Sequence, residues 1–373
     1  MSDPLAPLRA EIDALDRALI DLLSERTRLT ARIGEIKQAQ ALPLYAPDRE
    51  AALLATRRQQ ASAVGLDPAL IEDVLRRVMR DSYASQEARF PASVATDRPI
   101  VVVGGGGAFG RLLADFFQRS GYPIRILEKD DWQHAAERLE SARLVLVAVP
   151  IDRTVAVIEA LPELPNDCVL ADVTSIKRAP LTAMLARHPG PVVGLHPMFG
   201  PDTRSLAKQV IVVCPGRDPD GCRWLLDQIA IWGAVLREES PERHDAAMTT
   251  IQAMRHFTTL VYGAFLRRQQ ADLGDLLRLS SPIYRLELAM VGRLFAQNPA
   301  LYSDIILSAE RLPELVERYR DSLSELLARL GEGDRNALMT EFDRVRDYFG
   351  DLAPTLLRES GELLRKAHDG RDP

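Results

Sequence analysis

Residues 104–110 read Gly-Gly-Gly-Gly-Ala-Phe-Gly, and they follow directly on Ile100, Val101, Val102 and Val103. A β-branched run that enters a glycine turn and leaves into an amphipathic stretch predicts strand, turn and helix. Within it Gly105, Gly107 and Gly110 satisfy G-x-G-x-x-G. Such glycines permit a tight turn, close approach of backbone to a pyrophosphate and close helix packing, while the helix N-terminus supplies amide donors. At the end of the next β-branched run stands Glu128, 23 residues past Gly105. A carboxylate there accepts hydrogen bonds from ribose hydroxyls and repels a 2′-phosphate, which favours NAD over NADP. The expected cofactor-binding residues are Gly105, Gly107, Phe109, Gly110 and Glu128.

Short apolar runs at 100–103, 124–127, 144–149, 168–173, 192–195 and 210–214 alternate with helical stretches, the signature of a doubly wound parallel sheet. On either side the pattern is helical. Residues 1–90 read as three helices, with boundaries near Asp48, Ala63, Pro68 and Ala88. Residues 91–99 form a linker with two prolines in its neighbourhood, 100–240 the Rossmann-type domain, and 241–373 an all-helical domain. The expected fold is therefore multi-domain, α and α/β.

The net charge of -6, without a long basic run, argues against nucleic acid. Three cysteines without C-x-x-C spacing argue against a disulfide framework or a zinc site, and no metal is expected. No stretch reaches the length of a membrane span, and the N-terminus lacks a signal pattern, so a cytoplasmic protein is expected.

The first helix carries the most unusual residue placement. Leu5, Leu8, Ile12, Leu15, Leu19, Leu22, Leu29, Ile33 and Ile36 form an alternating three-and-four stripe, and in that heptad Arg26 occupies an a position. A guanidinium on an apolar seam costs several kcal/mol unless an anion meets it. Arg9 and Lys37 flank the same stripe. They could simply snorkel to solvent while Arg26 pairs with a core carboxylate. At about 1.5 Å rise per residue, Arg9 lies roughly 40 Å from Lys37, so one small ligand could use both only if a second copy brought its own Arg9 alongside. A shared site implies a homodimer.

The set Arg9, Arg26, Lys37, Asp48-Arg49-Glu50, Asp81-Ser82 and Gln86 resembles the helical chorismate mutase family over about residues 1–90. The resemblance implies that Arg9 of the neighbouring chain, Arg26, Arg49 and Ser82 hold the carboxylates of chorismate. It further implies that Glu50 binds its hydroxyl, and that Lys37 with Gln86 meets the breaking ether oxygen. A pericyclic rearrangement needs no nucleophile, only a dianion held in a reactive conformer with donors where charge develops. Ala46 departs from the pattern, where some mutases carry an Asp.

After the fifth strand, Leu195-His196-Pro197-Met198-Phe199-Gly200-Pro201-Asp202 stands at the carboxyl end of the sheet, where folds of this kind place ligands. His196 is a candidate general base for a hydroxyl proton, although a strand-end His is often structural. Ser175 and Lys177 follow the fourth strand; His244, Asp245, His256, Arg285 and Arg293 lie further on. Arg285 and Arg293, eight apart in an apolar run, read as an anion clamp. HPMFGPD and SSPIYRLELAMVGRLFAQNP (280–299) resemble the prephenate dehydrogenase family, and the whole chain resembles the bifunctional chorismate mutase/prephenate dehydrogenases of tyrosine biosynthesis. That resemblance implies that His196 meets the ring hydroxyl of prephenate and that Arg293 with Lys177 binds its ring carboxylate. Ser175 would position His196 or substrate, His256 would lie where tyrosine acts as a feedback inhibitor, and the C-terminal helices would dimerise. The residue pattern alone also fits a hydroxyacid dehydrogenase with a helical dimerisation appendage, or a dehydrogenase controlled by a helical sensing module.

Overall fold

The computed structural model describes residues 3–40, 42, 45–86, 89–203 and 205–369, without the side chains of 38, 84–86 and 366–369. The chain divides into two compact units, Met1–His244 and Asp245–Pro373.

The first unit opens with α1 (Ala6–Ala39), α2 (Pro47–Ala63) and α3 (Pro68–Gln86). Pro7 falls in the first turn of α1 and Pro47 begins α2, positions where the missing N–H has no intrahelical partner to lose. The chain leaves α2 through Gly65, at φ +74°, a conformation that costs glycine little. Leu54, Ala61 and Met79 are buried where α2 and α3 pack. The α1 seam behaves otherwise. Ile12, Leu15, Leu22 and Leu29 are half or more exposed, and the face turned to α3 is the half-buried set Leu23, Arg26, Thr30 and Lys37. The expectation of a buried seam with Arg26 inside it is thus corrected for the single chain. A lone helix cannot cover its own heptad stripe, and Arg26 sits at the stripe's edge beside α3.

Residues 90–99 form neither helix nor strand, yet they pack firmly. Phe90 is buried against Phe116, and the Ser93 amide donates to Gln228 at 2.8 Å. The sheet follows: β1 (Ile100–Val103), α4 (Ala108–Arg119), β2 (Ile124–Leu127), α5 (Ala135–Leu139), β3 (Leu144–Val147), α6 (Ile151–Glu159), β4 (Val169–Asp172), α7 (Arg178–Arg187), β5 (Val192–Pro197), β6 (Val210–Pro215), α8 (Pro219–Ile231) and β7 (Val235–Glu238). Strand order is β2-β1-β3-β4-β5-β6-β7. Strands β1, β3 and β4 are buried on both faces, which is why they read as unbroken apolar runs. Ile100 and Val102 pack toward α4 and α8, while Val101 and Val103 pack toward α5, α6 and α7.

Two features depart from the expected parallel sheet. Strand β6 runs antiparallel to β5, with His196 opposite Val212. The described residues between Pro197 and Val210 contain no helix, so the chain turns back as a hairpin instead of crossing over. Strand β7, parallel to β6, escaped the sequence reading because its Val-Leu-Arg-Glu is half polar, as suits a short edge strand.

Helix α9 (Pro241–Met248) carries the unit boundary. The second unit continues through a π-helical turn, Thr249–Met254, into α10 (Arg255–Arg268), α11 (Leu273–Leu279), α12 (Pro282–Phe295), α13 (Pro299–Leu307), α14 (Leu312–Glu332), α15 (Arg335–Phe349) and α16 (Leu352–Asp369). Ser281 and Asn298 cap α12 and α13 through their side chains. No helix among the described residues is long and apolar enough to cross a membrane.

Candidate active sites

The glycine turn lies at the carboxyl end of β1, where strand order reverses between β2 and β3. Gly104 sits at φ +80°, and a Cβ on it would come within 2.7 Å of the Ala148 carbonyl; on Gly110 it would come within 2.5 Å of Gly104 O. Only glycine fits either place. Gly107 begins α4 without a side-chain cap, so the first amides of that helix face the turn. Glu128 reaches back over the turn and accepts a 2.6 Å hydrogen bond from the Gly106 amide. Phe109 lies against Phe199, centroids 5.9 Å apart. Open backbone, uncapped helix amides and one carboxylate suit a dinucleotide.

A second centre forms at the end of β5. His196 is 2% exposed, and its Nδ1 is 2.8 Å from Nε2 of His244, itself buried in the first turn of α9. Lys177 is wholly enclosed: its ammonium donates to Asp172 Oδ2 at 2.5 Å and to the Leu195 carbonyl at 2.7 Å. The carboxylate offsets the desolvation of the ammonium, and the bond to Leu195 ties that pair to the residue before His196. In this structure Lys177 therefore meets Asp172 and the strand backbone, not solvent. Ser175 is half-buried in the same turn. Sequence reasoning named His244 without a role and missed Asp172. The short spacing Asp172-x-Thr174 was the available signal, since Thr174 bonds the same carboxylate oxygen.

The third centre lies among the N-terminal helices. Arg26 donates to Ser82 Oγ at 2.7 Å. Lys37 is half-buried, and burial lowers its ammonium below the ordinary 10.5. Glu50, 6% exposed, accepts a 2.9 Å hydrogen bond from the Tyr83 hydroxyl, stands 3.6 Å from Arg76, and is paired with Lys208. Burial, then the Glu50 hydrogen bond and charge, push Tyr83 upward. Arg49 is exposed on the first turn of α2. Arg9 pairs with Asp3 at 2.7 Å, 17 residues from Arg26 and so about 25 Å away along α1. Gln86 ends α3, and its side chain lies outside the described residues. Tyr83, Arg76 and Lys208 were not anticipated.

In the second unit His256 is buried at the start of α10, edge-on to Tyr302 with centroids 4.8 Å apart. Burial, reinforced by Arg255, lowers it from 6.5 to about 4. Arg285 and Arg293 are both exposed on α12, whose buried face is Leu288 and Val291. Eight residues separate them by about 80° around the helix, so they share a broad outer surface more than a single line.

Comparison with known proteins joins these centres. Residues 8–87 match chorismate mutase type II, 125–235 the prephenate dehydrogenase nucleotide-binding domain, and 240–344 the prephenate dehydrogenase dimerization domain. The T-protein of Enterobacter agglomerans is 52% identical over 98% of this chain and 99% of its own length. The chain belongs to the T-protein family. As a member of that family it is an enzyme with both chorismate mutase and prephenate dehydrogenase domains, acting in tyrosine biosynthesis. The T-protein of Haemophilus influenzae is 47% identical over 98% of both chains. Among solved structures, prephenate dehydrogenase from Aquifex aeolicus, in complex with hydroxyphenyl propionate and NAD+, superposes with a TM-score of 0.54 at 17% identity. It covers 69% of this chain and 99% of its own, a likeness of fold. The match to the nucleotide-binding family begins at 125, beyond the glycine turn, so the local geometry carries that assignment.

Proposed function

We propose that this T-protein-family chain rearranges chorismate to prephenate among α1, α2 and α3, and oxidises prephenate to 4-hydroxyphenylpyruvate with NAD at the sheet. The observation that carries this reading is that one compact unit holds two separate polar centres of different chemistry. The Arg26–Ser82 and Glu50 cluster offers cations and hydroxyls; the His196–His244 pair at a strand end offers a proton acceptor beside a dinucleotide turn.

In the mutase site Arg26, Arg49 and Ser82, with Arg9 of a second copy, hold the two carboxylates. Glu50 accepts from the ring hydroxyl. Lys37 and Gln86 donate to the ether oxygen as charge develops on it. The uncovered α1 seam supports the homodimer this requires, because a stripe of that length is covered by a second amphipathic helix.

In the dehydrogenase, Gly105, Gly107, Phe109, Gly110 and Glu128 hold NAD, which when bound supplies a hydride acceptor. His196 takes the ring hydroxyl proton through Nε2, with Nδ1 engaged by His244. Oxidation leaves a ketone conjugated to the carbon bearing the ring carboxylate, so carbon dioxide departs as the ring aromatises. Arg285 and Arg293 bind substrate carboxylate. Ser175 and Lys177 hold the strand end that presents His196, with Lys177 a further carboxylate ligand if it leaves Asp172. We assign His256 to tyrosine feedback and the chain to the cytoplasm, with residues 1–90, 100–240 and 241–373 as its mutase, nucleotide-binding and substrate-binding domains.

The test is incubation of the protein with chorismate and NAD, following NADH and 4-hydroxyphenylpyruvate together. Prephenate accumulation without NADH refutes the dehydrogenase; chorismate left unconsumed, while prephenate supplied separately is oxidised, refutes the mutase.

A further inference from the structure

We propose that Lys208, carried by the nucleotide-binding domain, is a positioning residue of the mutase site that holds Glu50 for the substrate hydroxyl. The inference rests on the role of Glu50 given above. Glu50 is a buried carboxylate at the first turn of α2, and desolvating its charge demands compensation from several sides. Tyr83 donates to Oε2 at 2.9 Å, and the Arg76 guanidinium stands 3.6 Å from Oε1. The Lys208 ammonium bonds Oε1, and it comes from the turn between β5 and β6, 158 residues away in the chain.

Three further observations make this a built contact. The Lys208 ammonium lies 5.3 Å from the ring centroid of Tyr45 and 6.0 Å from that of Tyr83. Those rings meet edge to face at 6.0 Å and give the cation an electron-rich approach to the carboxylate. The Lys208 backbone sits at φ +68°, a left-handed conformation that L residues adopt at a cost. It is held there by its amide, which donates to Gly233 O at 2.9 Å, and by Gln209 N to Leu206 O at 3.0 Å. A strained backbone fixed by its surroundings, carrying a partly exposed ammonium onto a buried carboxylate, is the arrangement expected of a residue kept for its side chain.

The competing pull on Glu50 is Arg76, which already bonds Glu72 at 2.6 Å. Without Lys208, the Oε1 atom is drawn toward Arg76 and the carboxylate turns from the orientation that Tyr83 and Lys208 share. Substrate affinity then suffers more than turnover, because the groups assigned to the ether oxygen, Lys37 and Gln86, are untouched.

The test uses the full chain. Lys208→Met is expected to raise the mutase KM for chorismate about tenfold with a smaller change in kcat, the weight of one hydrogen bond to a charged group. Lys208→Arg should keep most of the wild-type KM. Prephenate oxidation, with prephenate supplied, should stay within about twofold, and Lys208→Gln provides a second neutral variant should the Met protein not fold. On a Glu50→Gln background, Lys208→Met should add nothing. A wild-type KM in both neutral variants, an equal loss in prephenate oxidation, or losses that multiply in the double variant each overturn the proposal. Wild-type mutase in Glu50→Gln alone would instead overturn the reading of Glu50 beneath it.

Discussion

Nδ1 of His196 and Nε2 of His244 lie 2.8 Å apart, so two buried imidazoles share one proton. For His196 to act as a base through Nε2, the shared proton must sit on its Nδ1, with His244 accepting. His196→Asn is therefore expected to lower prephenate oxidation by about 10²–10⁴-fold, the usual worth of a general base. His244→Ala should cost about 3- to 10-fold through lost orientation, as one hydrogen bond of about 0.5–1.5 kcal/mol implies. Steady-state kinetics with prephenate would read both; a wild-type rate in His196→Asn with unchanged NAD affinity refutes the base assignment.

Arg26 meets Ser82 inside the mutase cluster, remote in sequence from the dehydrogenase groups. Arg26→Ala should reduce chorismate turnover by about 10²-fold or more while prephenate oxidation holds, since losing an arginine clamp that holds the dianion in its reactive conformer costs that much. Assaying each reaction with its own substrate decides it. Equal losses would point to global unfolding.

Glu128 accepts from the Gly106 amide, and in the role proposed for it the carboxylate repels a 2′-phosphate. Glu128→Ser should raise the ratio of kcat/KM for NADP to that for NAD. If the wild-type protein already uses both cofactors equally, Glu128 does not hold this role.

Burial keeps His256 neutral, lowering it from 6.5 to about 4. The unfolded chain then binds more protons than the folded one between those values. Stability from this residue is present above about pH 6.5 and is lost as pH falls toward 4. His256→Leu should flatten the pH dependence of the melting temperature across that window relative to wild type. Parallel curves for the two proteins would contradict it.

Arg9 pairs with Asp3 at the far end of α1, too distant to reach Lys37 in its own chain. Co-folding equal amounts of Arg9→Ala and Arg26→Ala should restore roughly a quarter of mutase activity, because about half the dimers are mixed and half their sites carry neither lesion. No recovery, with mixed dimers verified by native mass measurement, rules out a shared site.

What the sequence determined was whatever neighbours along the chain encode. The β1–turn–α4 geometry follows from Gly104 and Gly110, because only glycine tolerates the φ of the first and the close approaches of both. The α1 seam follows from its three-and-four spacing, and the ends of α2 and α3 from Pro47, Gly65 and Pro68. The strand-end placement of His196 was legible in the same way. The tertiary structure alone decided which remote groups meet: His244 on His196, Asp172 beneath Lys177, and Lys208 on Glu50. It also decided that β6 reverses and that Val235–Glu238 joins the edge. Periodicity records how a segment faces the core, but a contact between distant residues depends on packing that no local pattern contains. Buried charges, whose partners must arrive from elsewhere in the fold, are where that difference is largest.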